Sequence, residues 1–364
     1  MYTTCTVDGL TPWRDRFNPC VVQLPLRLLW KGKLLKAYAD VPLVAENHIY
    51  VHSSKPAKNS ISEEALTDFS PARGRMEWER KFEEIYISNA YCLSGDTVFF
   101  STKKELIAIK DGRTLWEIEG YFDCPLISGD SLVLSGMDGV YIVDPENGEL
   151  QNKIVLNCPV GVSCSDGFLV VGTADNQLHG IQLETGKKLW QTDLTRQAQY
   201  THPVSKEIIK GQVFRWAPII SDQKIVLQTD QLTCCFDLYT GEVLWERAFN
   251  RAPRFCGWAC GNQRLYGFEG RSLYCIDLNT GAPIFVQQIF ERSAWGAAPP
   301  FLTENVLFIA SEGLHAYSTE TGELLWEFWP KRKGMQNFSA MPVFVGGRLY
   351  ASGKDGFLYC FEQA

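Results

Sequence analysis

The sequence lacks long hydrophobic runs and a recognisable export signal. No segment approaches the ~18 uninterrupted apolar residues of a membrane helix. Residues 1–20 contain no basic stretch followed by an apolar core, and neither Cys5 nor Cys20 follows the apolar run that precedes a lipidated cysteine. We therefore expect no membrane span and a cytoplasmic location. A periplasmic location stays open, because a chain trimmed of its leader would read the same.

Basic charge is also scarce. The chain has 35 Lys and Arg residues against 42 Asp and Glu, a formal net charge of −7. A general nucleic-acid binder needs a strongly basic surface, so we expect no nucleic-acid partner. Twelve cysteines without an export signal favour a reducing compartment over a disulfide framework.

An internal repeat dominates what the sequence does contain. Its clearest copies are FDLYTGEVLW (236–245), IQLETGKKLW (181–190), IDLNTGAPIF (276–285) and YSTETGELLW (317–326). The residue four positions after the turn glycine marks each copy, and seven such markers follow a turn of this kind. An eighth marker, Trp30, has no turn of its own. The other markers are Trp78, Trp116, Asn152, Trp190, Trp245, Phe285 and Trp326. A pattern that recurs in this way along the chain predicts an array of similar structural units.

Each unit reads as four short antiparallel strands. The turn glycine, for example Gly241, is expected at a positive φ, which glycine adopts at no steric cost. The aspartate before it, here Asp237, is expected to bond backbone N–H groups two residues on. Leu244 and Trp245 are adjacent and point to opposite faces of one strand. Both faces are therefore predicted to be buried between neighbouring sheets.

The two ends of the chain predict how the array closes. After Trp326 only three strands follow, ending at FLYCFEQA, and the missing fourth is present near the start as VVQLPLRLLW. An N-terminal strand that completes the last sheet removes its free edge. The predicted fold is all-β, an eight-bladed β-propeller of four-stranded antiparallel blades closed in this way. Residues 1–20 are assigned to an N-terminal extension and residues 21–364 to a single propeller.

The D-x-x-T-G-x-x-L-W signature resembles the PQQ-like repeat family of β-propellers, part of the quinoprotein alcohol dehydrogenase-like superfamily. The resemblance covers about residues 21–362. That family forms eight-bladed propellers in quinoprotein alcohol dehydrogenases and in the outer-membrane assembly lipoprotein of the β-barrel machinery, and it includes stand-alone scaffolds. One fold hosts many functions, so the resemblance predicts the architecture better than the activity.

The resemblance to the family implies one possible cofactor, a quinone that packs against a disulfide between two adjacent cysteines. Cys234 and Cys235 are adjacent in this chain, but LTCCFDL aligns with the third strand of the other units. Cys235 then occupies a slot for small residues, where cysteine packs as a small hydrophobe. The same slot holds Cys275, Cys360, Ala108, Gly180 and Ala316. We expect no cofactor.

Catalytic and metal-binding patterns are likewise missing. There is no G-x-S-x-G and no phosphate-binding glycine loop, and the carboxylates are dispersed. His179 and His315 replace a repeat tyrosine and are predicted to be structural. The other three histidines are assigned to different units without ligand spacing: His48, His52 and His202. We expect no metal and no enzymatic activity.

Departures from the repeat collect on the face that carries the loops between strands two and three and between successive units. Residues 194–214 and 53–62 are insertions there, and long loops on a rigid scaffold usually carry function. Three further segments combine basic and aromatic residues, which suit an acidic partner. The candidate binding residues are Arg251, Arg254, Trp258, Arg292, Trp295, Lys331, Arg332 and Lys333. Ordinary solvated charge, with the aromatics packed between blades, is the alternative.

The sequence thus predicts a non-catalytic scaffold that binds a partner protein, with an acidic surface, through one loop-rich face. An immunity protein that caps a toxin and an adaptor in a larger assembly both fit this description. Two alternatives remain: an enzyme that binds a quinone or small ligand in the central channel, and a periplasmic outer-membrane assembly factor.

Overall fold

Antiparallel sheets repeat around a ring in the computed structural model. The structure describes residues 14–35, 38–55, 63–83, 91–201, 208–210, 217–229, 232–248, 257–289, 298–330, 337–338 and 340–364. Within these residues there is no helix long and apolar enough to cross a membrane.

The first half of the ring contains four blades. Two N-terminal strands, which belong to later blades, precede them: β1 (Phe17–Asn18) and β2 (Leu26–Lys33). Blade one is built of β3 (Tyr38–Ala39), β4 (Leu43–Val44), β5 (Ile49–Lys55), β6 (Glu63–Phe69) and β7 (Met76–Glu83). Blade two is built of β8 (Tyr91–Ser94), β9 (Thr97–Ser101), β10 (Glu105–Lys110) and β11 (Arg113–Glu119). Blade three is built of β12 (Phe122–Ser128), β13 (Ser131–Gly136), β14 (Gly139–Val143) and β15 (Leu150–Val155). Blade four is built of β16 (Pro159–Ser165), β17 (Phe168–Thr173), β18 (Gln177–Gln182) and β19 (Lys188–Asp193).

The second half follows the same plan after a small inserted hairpin, β20 (Gln199–Thr201) and β21 (Ile208–Lys210). Blade five is built of β22 (Ile219–Ser221), β23 (Lys224–Gln228), β24 (Leu232–Asp237) and β25 (Val243–Ala248). Blade six is built of β26 (Ala259–Gly261), β27 (Arg264–Glu269), β28 (Ser272–Asp277) and β29 (Pro283–Gln288). Blade seven is built of β30 (Phe301–Thr303), β31 (Val306–Ala310), β32 (Leu314–Ser318) and β33 (Leu324–Phe328). Blade eight contains β34 (Val343–Val345), β35 (Arg348–Gly353) and β36 (Phe357–Gln363).

Ring closure occurs in blade eight. Strand β2 pairs antiparallel with β36 and becomes the fourth strand of that blade, so that Trp30 lies opposite Cys360. The pairing satisfies a backbone edge that would otherwise be exposed. The all-β, eight-bladed propeller closed by an N-terminal strand is therefore confirmed.

The marker residues join successive blades. Trp245 of blade five packs against Gly281 in the turn of blade six, and Trp30 of blade eight packs against Gly74 in the turn of blade one. Indole Nε1 groups also donate across the same junctions, from Trp190 to the carbonyl of Leu238, for instance, at 3.0 Å. The markers therefore serve as packing elements between blades.

The predicted turn chemistry is confirmed. Gly241 has φ 70°, and Asp237 Oδ1 accepts hydrogen bonds from the backbone N–H groups of Tyr239 and Thr240 at 2.9 Å. The predicted small-residue slot is confirmed as well, since Cys235 is fully buried and lies directly opposite Trp245 at a β-bulge.

Burial of both faces of the outer strand is a prediction that proves wrong. The leucine that precedes five of the six marker tryptophans is exposed, and Leu244 retains 46% of its accessible surface. Blades diverge away from the ring axis, so the outermost strand meets a neighbouring blade on its tryptophan side only. Further exposed members of this set are Leu29, Leu115, Leu189 and Leu325.

Candidate functional site

One face of the ring carries the connections in which the chain departs from its repeat. Strands alternate in direction, so the loops between strands two and three emerge on the same side as the connections between blades. The inserted hairpin β20–β21 lies in the connection from blade four to blade five. Its base is attached to blade five, because Arg196 Nη2 and Gln197 Nε2 donate to Glu246 Oε1 at 2.6 and 2.7 Å. We call this side the loop face.

Seven of the eight predicted binding residues lie outside the described residues. The strands that precede them, β25, β29 and β33, all end at the loop face. Their part in binding stays a prediction for Arg251, Arg254, Arg292, Trp295, Lys331, Arg332 and Lys333.

The eighth residue, Trp258, is part of the core. Its side chain is 1% exposed and packs against Gly267, where a Cβ atom would collide with the indole. It shares a buried cluster with Trp245 and Cys260, at the junction of blades five and six. Trp258 therefore contributes packing rather than exposed surface.

The central channel contains a segment of the chain itself. Residues 14–22 run along the inner strands of blades six and seven, where the N–H of Cys260 donates to the carbonyl of Asp15 at 2.7 Å. The N–H of Leu302 donates to the carbonyl of Arg16 at 2.8 Å, and β1 pairs in parallel with β30. We call residues 14–22 the channel segment.

Side chains of the channel segment reach blades on several sides of the ring. Arg14 Nε donates to the carbonyl of Val162 in blade four at 3.1 Å, and Asn18 Nδ2 donates to the carbonyl of Phe344 in blade eight at 3.0 Å. Arg16 Nη1 donates to the carbonyl of Trp258. All three side chains are buried. The sequence assigned residues 1–20 to an N-terminal extension, and the described part of that extension, residues 14–20, lies in the channel.

The implied quinone does not fit the residues at hand. Cys234 and Cys235 lie on β24, the third strand of blade five, whereas the channel is lined by inner strands that bond the channel segment. Both thiols are buried, and burial raises the pKa of each to about 12. As successive strand residues they point to opposite faces. Neither forms a disulfide within the described part of the chain.

The two histidines on third strands are buried, as their alignment with tyrosine suggests. His179 and His315 lie on β18 and β32, and burial lowers the pKa of His179, which favours its neutral form. Among the residues that the structure describes, there is no group of three or more side chains suited to hold a metal ion.

Blade one contains a buried histidine–carboxylate network that the sequence did not reveal. His52 lies between two carboxylates, with Nδ1 2.6 Å from Asp40 and Nε2 2.9 Å from Glu64. His48 lies in the same blade, 2.8 Å from Asp68, so the assignment of these histidines to different units was wrong. Pairing of β5 with β6 brings Glu64 beside His52, and pairing of β3 with β5 brings Asp40 there. No linear motif records these contacts.

These features define a PQQ-like eight-bladed β-propeller, which confirms the resemblance in the repeat. The sequence model of the family described as "Outer membrane protein assembly factor BamB" matches residues 27–119, 136–255 and 269–364. The chain belongs to this family.

Individual relatives are distant. Outer membrane protein assembly factor BamB of Shewanella oneidensis is 21% identical over 321 residues, which cover 80% of this chain and 78% of that protein. The crystal structure of BamB from Moraxella catarrhalis has a TM-score of 0.65 at 15% identity and covers 93% of this chain and 98% of its own. Quinohemoprotein alcohol dehydrogenase from Comamonas testosteroni has a TM-score of 0.71 at 12% identity, over 99% of this chain and 80% of its own. At such identities the solved structures establish the fold alone.

Proposed function

We propose that the protein is a non-catalytic scaffold that binds partner proteins in outer-membrane protein assembly, and that it works in the periplasm. The observation that carries this proposal is the family match, whose three segments include strands from all eight blades. The match favours the assembly-factor alternative over the immunity-protein interpretation. Neither that interpretation nor a cytoplasmic location has support among the similar proteins.

The channel supports a scaffold over a channel enzyme. Its inner strands bond the chain's own residues, through the carbonyls of Asp15 and Arg16 and the amide of Asn18. A small ligand would have to displace these buried contacts. We therefore assign recognition to the surface of the ring outside the channel.

We assign the contact with an acidic partner segment to the loop face of blades six to eight. Three segments there contain six basic residues, although the whole chain has a net charge of −7. A local positive potential at these segments would steer an acidic partner. These residues are Arg251, Arg254, Arg292, Lys331, Arg332 and Lys333.

Affinity capture from the native cell tests the proposal. The test variant reverses three charges together, at Arg254, Arg292 and Arg332, each to Glu. The control variant makes the same change in net charge at exposed positions on the opposite face: Arg73, Arg113 and Lys187. Outer-membrane assembly proteins should be captured by the wild type and the control and lost from the test variant. Equal capture by all three contradicts the assigned face, and no assembly protein in any capture contradicts the function.

A further inference from the structure

A cleft with mainly apolar walls opens between blades two and three. Its volume is 410 Å³, near the lower end of the roughly 300–1,000 Å³ typical of ligand pockets. That size suits one or two side chains better than a large cofactor. The residues that form its walls include Ile118, Tyr121, Phe122, Met137, Tyr141 and Leu150.

Two short connections place apolar side chains at the mouth of this cleft. Met137 and Asp138 form a two-residue turn between β13 and β14, and Tyr121 lies in the connection from β11 to β12. Both connections belong to the loop face. Tyr121 is 44% exposed and Met137 is 69% exposed. Both side chains line the same cleft, so they add to one contiguous apolar patch, and such patches mark recognition sites.

Tyr141 forms a fixed wall of the cleft. Its hydroxyl donates to Asp138 Oδ1 at 2.7 Å, and Lys153 Nζ bonds Asp138 Oδ2 at 2.6 Å while lying 4.8 Å from the centre of the Tyr141 ring. The Phe122 ring packs edge to face against the Tyr141 ring, with 5.3 Å between the two ring centroids. A Cβ on Gly136 would approach the ring to 2.6 Å, so the ring lies against glycine backbone. A preformed wall reduces the entropy lost on binding.

The stretch of chain that forms most of the cleft is acidic, although Lys104 of blade two lies next to it, with its carbonyl accepting from the N–H of Gly120 at 2.7 Å. From Glu117 to Asn152 the chain has no Lys, Arg or His. The next base, Lys153, is held by Asp138. The carboxylates in this stretch are Glu117, Glu119, Asp123, Asp130, Asp138, Asp144, Glu146 and Glu149. The charge is opposite to that of the basic segments of blades six to eight.

We propose that this cleft docks an extended segment of a partner protein in which an aromatic or aliphatic side chain is flanked by Lys or Arg. The apolar side chain enters between Tyr121, Met137 and Tyr141, and a flanking cation faces Glu119. Apolar burial supplies the affinity, and charge complementarity selects the partner. The inference rests on the proposed function only in that the partner is a protein.

A random peptide library displayed on phage tests the cleft with the purified full chain. Peptides are selected on the wild type and their affinities are then measured by fluorescence polarisation. We expect an enriched apolar residue beside Lys or Arg, and affinity that falls with rising salt. Met137→Ser and Glu119→Lys should each weaken binding about tenfold or more. Leu189→Ser, on the outer strand of blade four, and Asp130→Lys, on the opposite face of blade three, should leave binding unchanged.

Three outcomes overturn the proposal: no enrichment, enriched peptides without basic residues, and affinities that Met137→Ser and Glu119→Lys leave unchanged. A concentration-dependent dimer that Met137→Ser abolishes would instead assign the cleft to a second copy of the chain. Because the selection uses purified protein and synthetic sequences, its failure is separate from failure of the outer-membrane assembly role.

Discussion

The indole Nε1 of Trp245 donates a hydrogen bond of 2.8 Å to the carbonyl oxygen of Leu278, and this bond joins blade five to blade six. The same relationship recurs between blades seven and eight, where Trp326 Nε1 donates to the carbonyl of Leu26 at 3.1 Å. The acceptor in each case belongs to the next blade around the ring. The repeated tryptophan therefore connects neighbouring blades.

Trp245→Ala should destabilise the protein by about 3–5 kcal/mol, because it removes a buried ring and leaves a cavity between two blades. Urea unfolding followed by circular dichroism measures the free energy of unfolding. Leu244→Ala is the matched control, since its side chain is 46% exposed on the same strand, and it should cost much less. A Trp245→Ala protein as stable as the control would contradict the role assigned to the marker residue.

Gly281→Ala should cost more stability than Gly270→Ala. Both glycines have positive φ, 69° and 61°, so a left-handed alanine costs each variant roughly 1–2 kcal/mol. At Gly281 the added Cβ would also lie 2.8 Å from the Trp245 ring, whereas at Gly270 it meets open space.

A double-mutant cycle isolates this clash. Introducing Gly281→Ala into Trp245→Ala should remove the extra cost, because the ring that the methyl group meets is gone. Strictly additive free energies of unfolding would show that the two residues do not contact one another.

Asn18→Ala should destabilise the protein by about 1–3 kcal/mol, because it leaves the buried carbonyl of Phe344 without its amide donor. Val21→Ala is the control, since that side chain is 67% exposed in the same segment, and its effect should be small. Equal stability of the two variants, measured by thermal unfolding, would place Asn18 outside the channel.

The free energy of unfolding should decrease as the pH rises from about 6.5 to about 9, because His52 loses its proton over this range. Burial alone would lower its pKa, but hydrogen bonds to Asp40 and Glu64 outweigh burial and raise the pKa from 6.5 to about 9. The charged imidazole therefore favours the folded state fully below pH 6.5, and this contribution is lost as pH rises through 9.

Urea unfolding across this pH range should show a steeper loss of stability for wild type than for His52→Gln. His179→Gln should keep the wild-type slope, because burial lowers the pKa of His179 and its titration in the folded state falls below this window. Parallel slopes for wild type and His52→Gln would contradict the ionic network of blade one.

Local chemistry explains what the sequence predicts well. The turn at Asp237 and Gly241 and the slot at Cys235 depend on neighbours within about ten residues, and repetition makes each of them visible several times. Closure by β2 follows from counting strands at the two ends. These predictions need no knowledge of distant contacts.

The remaining features depend on contacts between parts of the chain that no repeat connects. Arg14 bonds Val162, 148 residues away, and Asn18 bonds Phe344, 326 residues away. The cleft needs two connections, at Tyr121 and Met137, to come together beside Tyr141. Only the acidic stretch from Glu117 to Asn152 signals that region in the sequence. Exposure of Leu244 depends on how far the blades diverge.

The protein composition of the outer membrane, measured by quantitative mass spectrometry in cells that lack this chain, tests the central proposal most directly. A scaffold for outer-membrane protein assembly predicts a lower abundance of β-barrel outer-membrane proteins. A wild-type copy of the gene should restore them, and the triple charge reversal at Arg254, Arg292 and Arg332 should restore them less well. An outer membrane of unchanged composition would contradict the proposal.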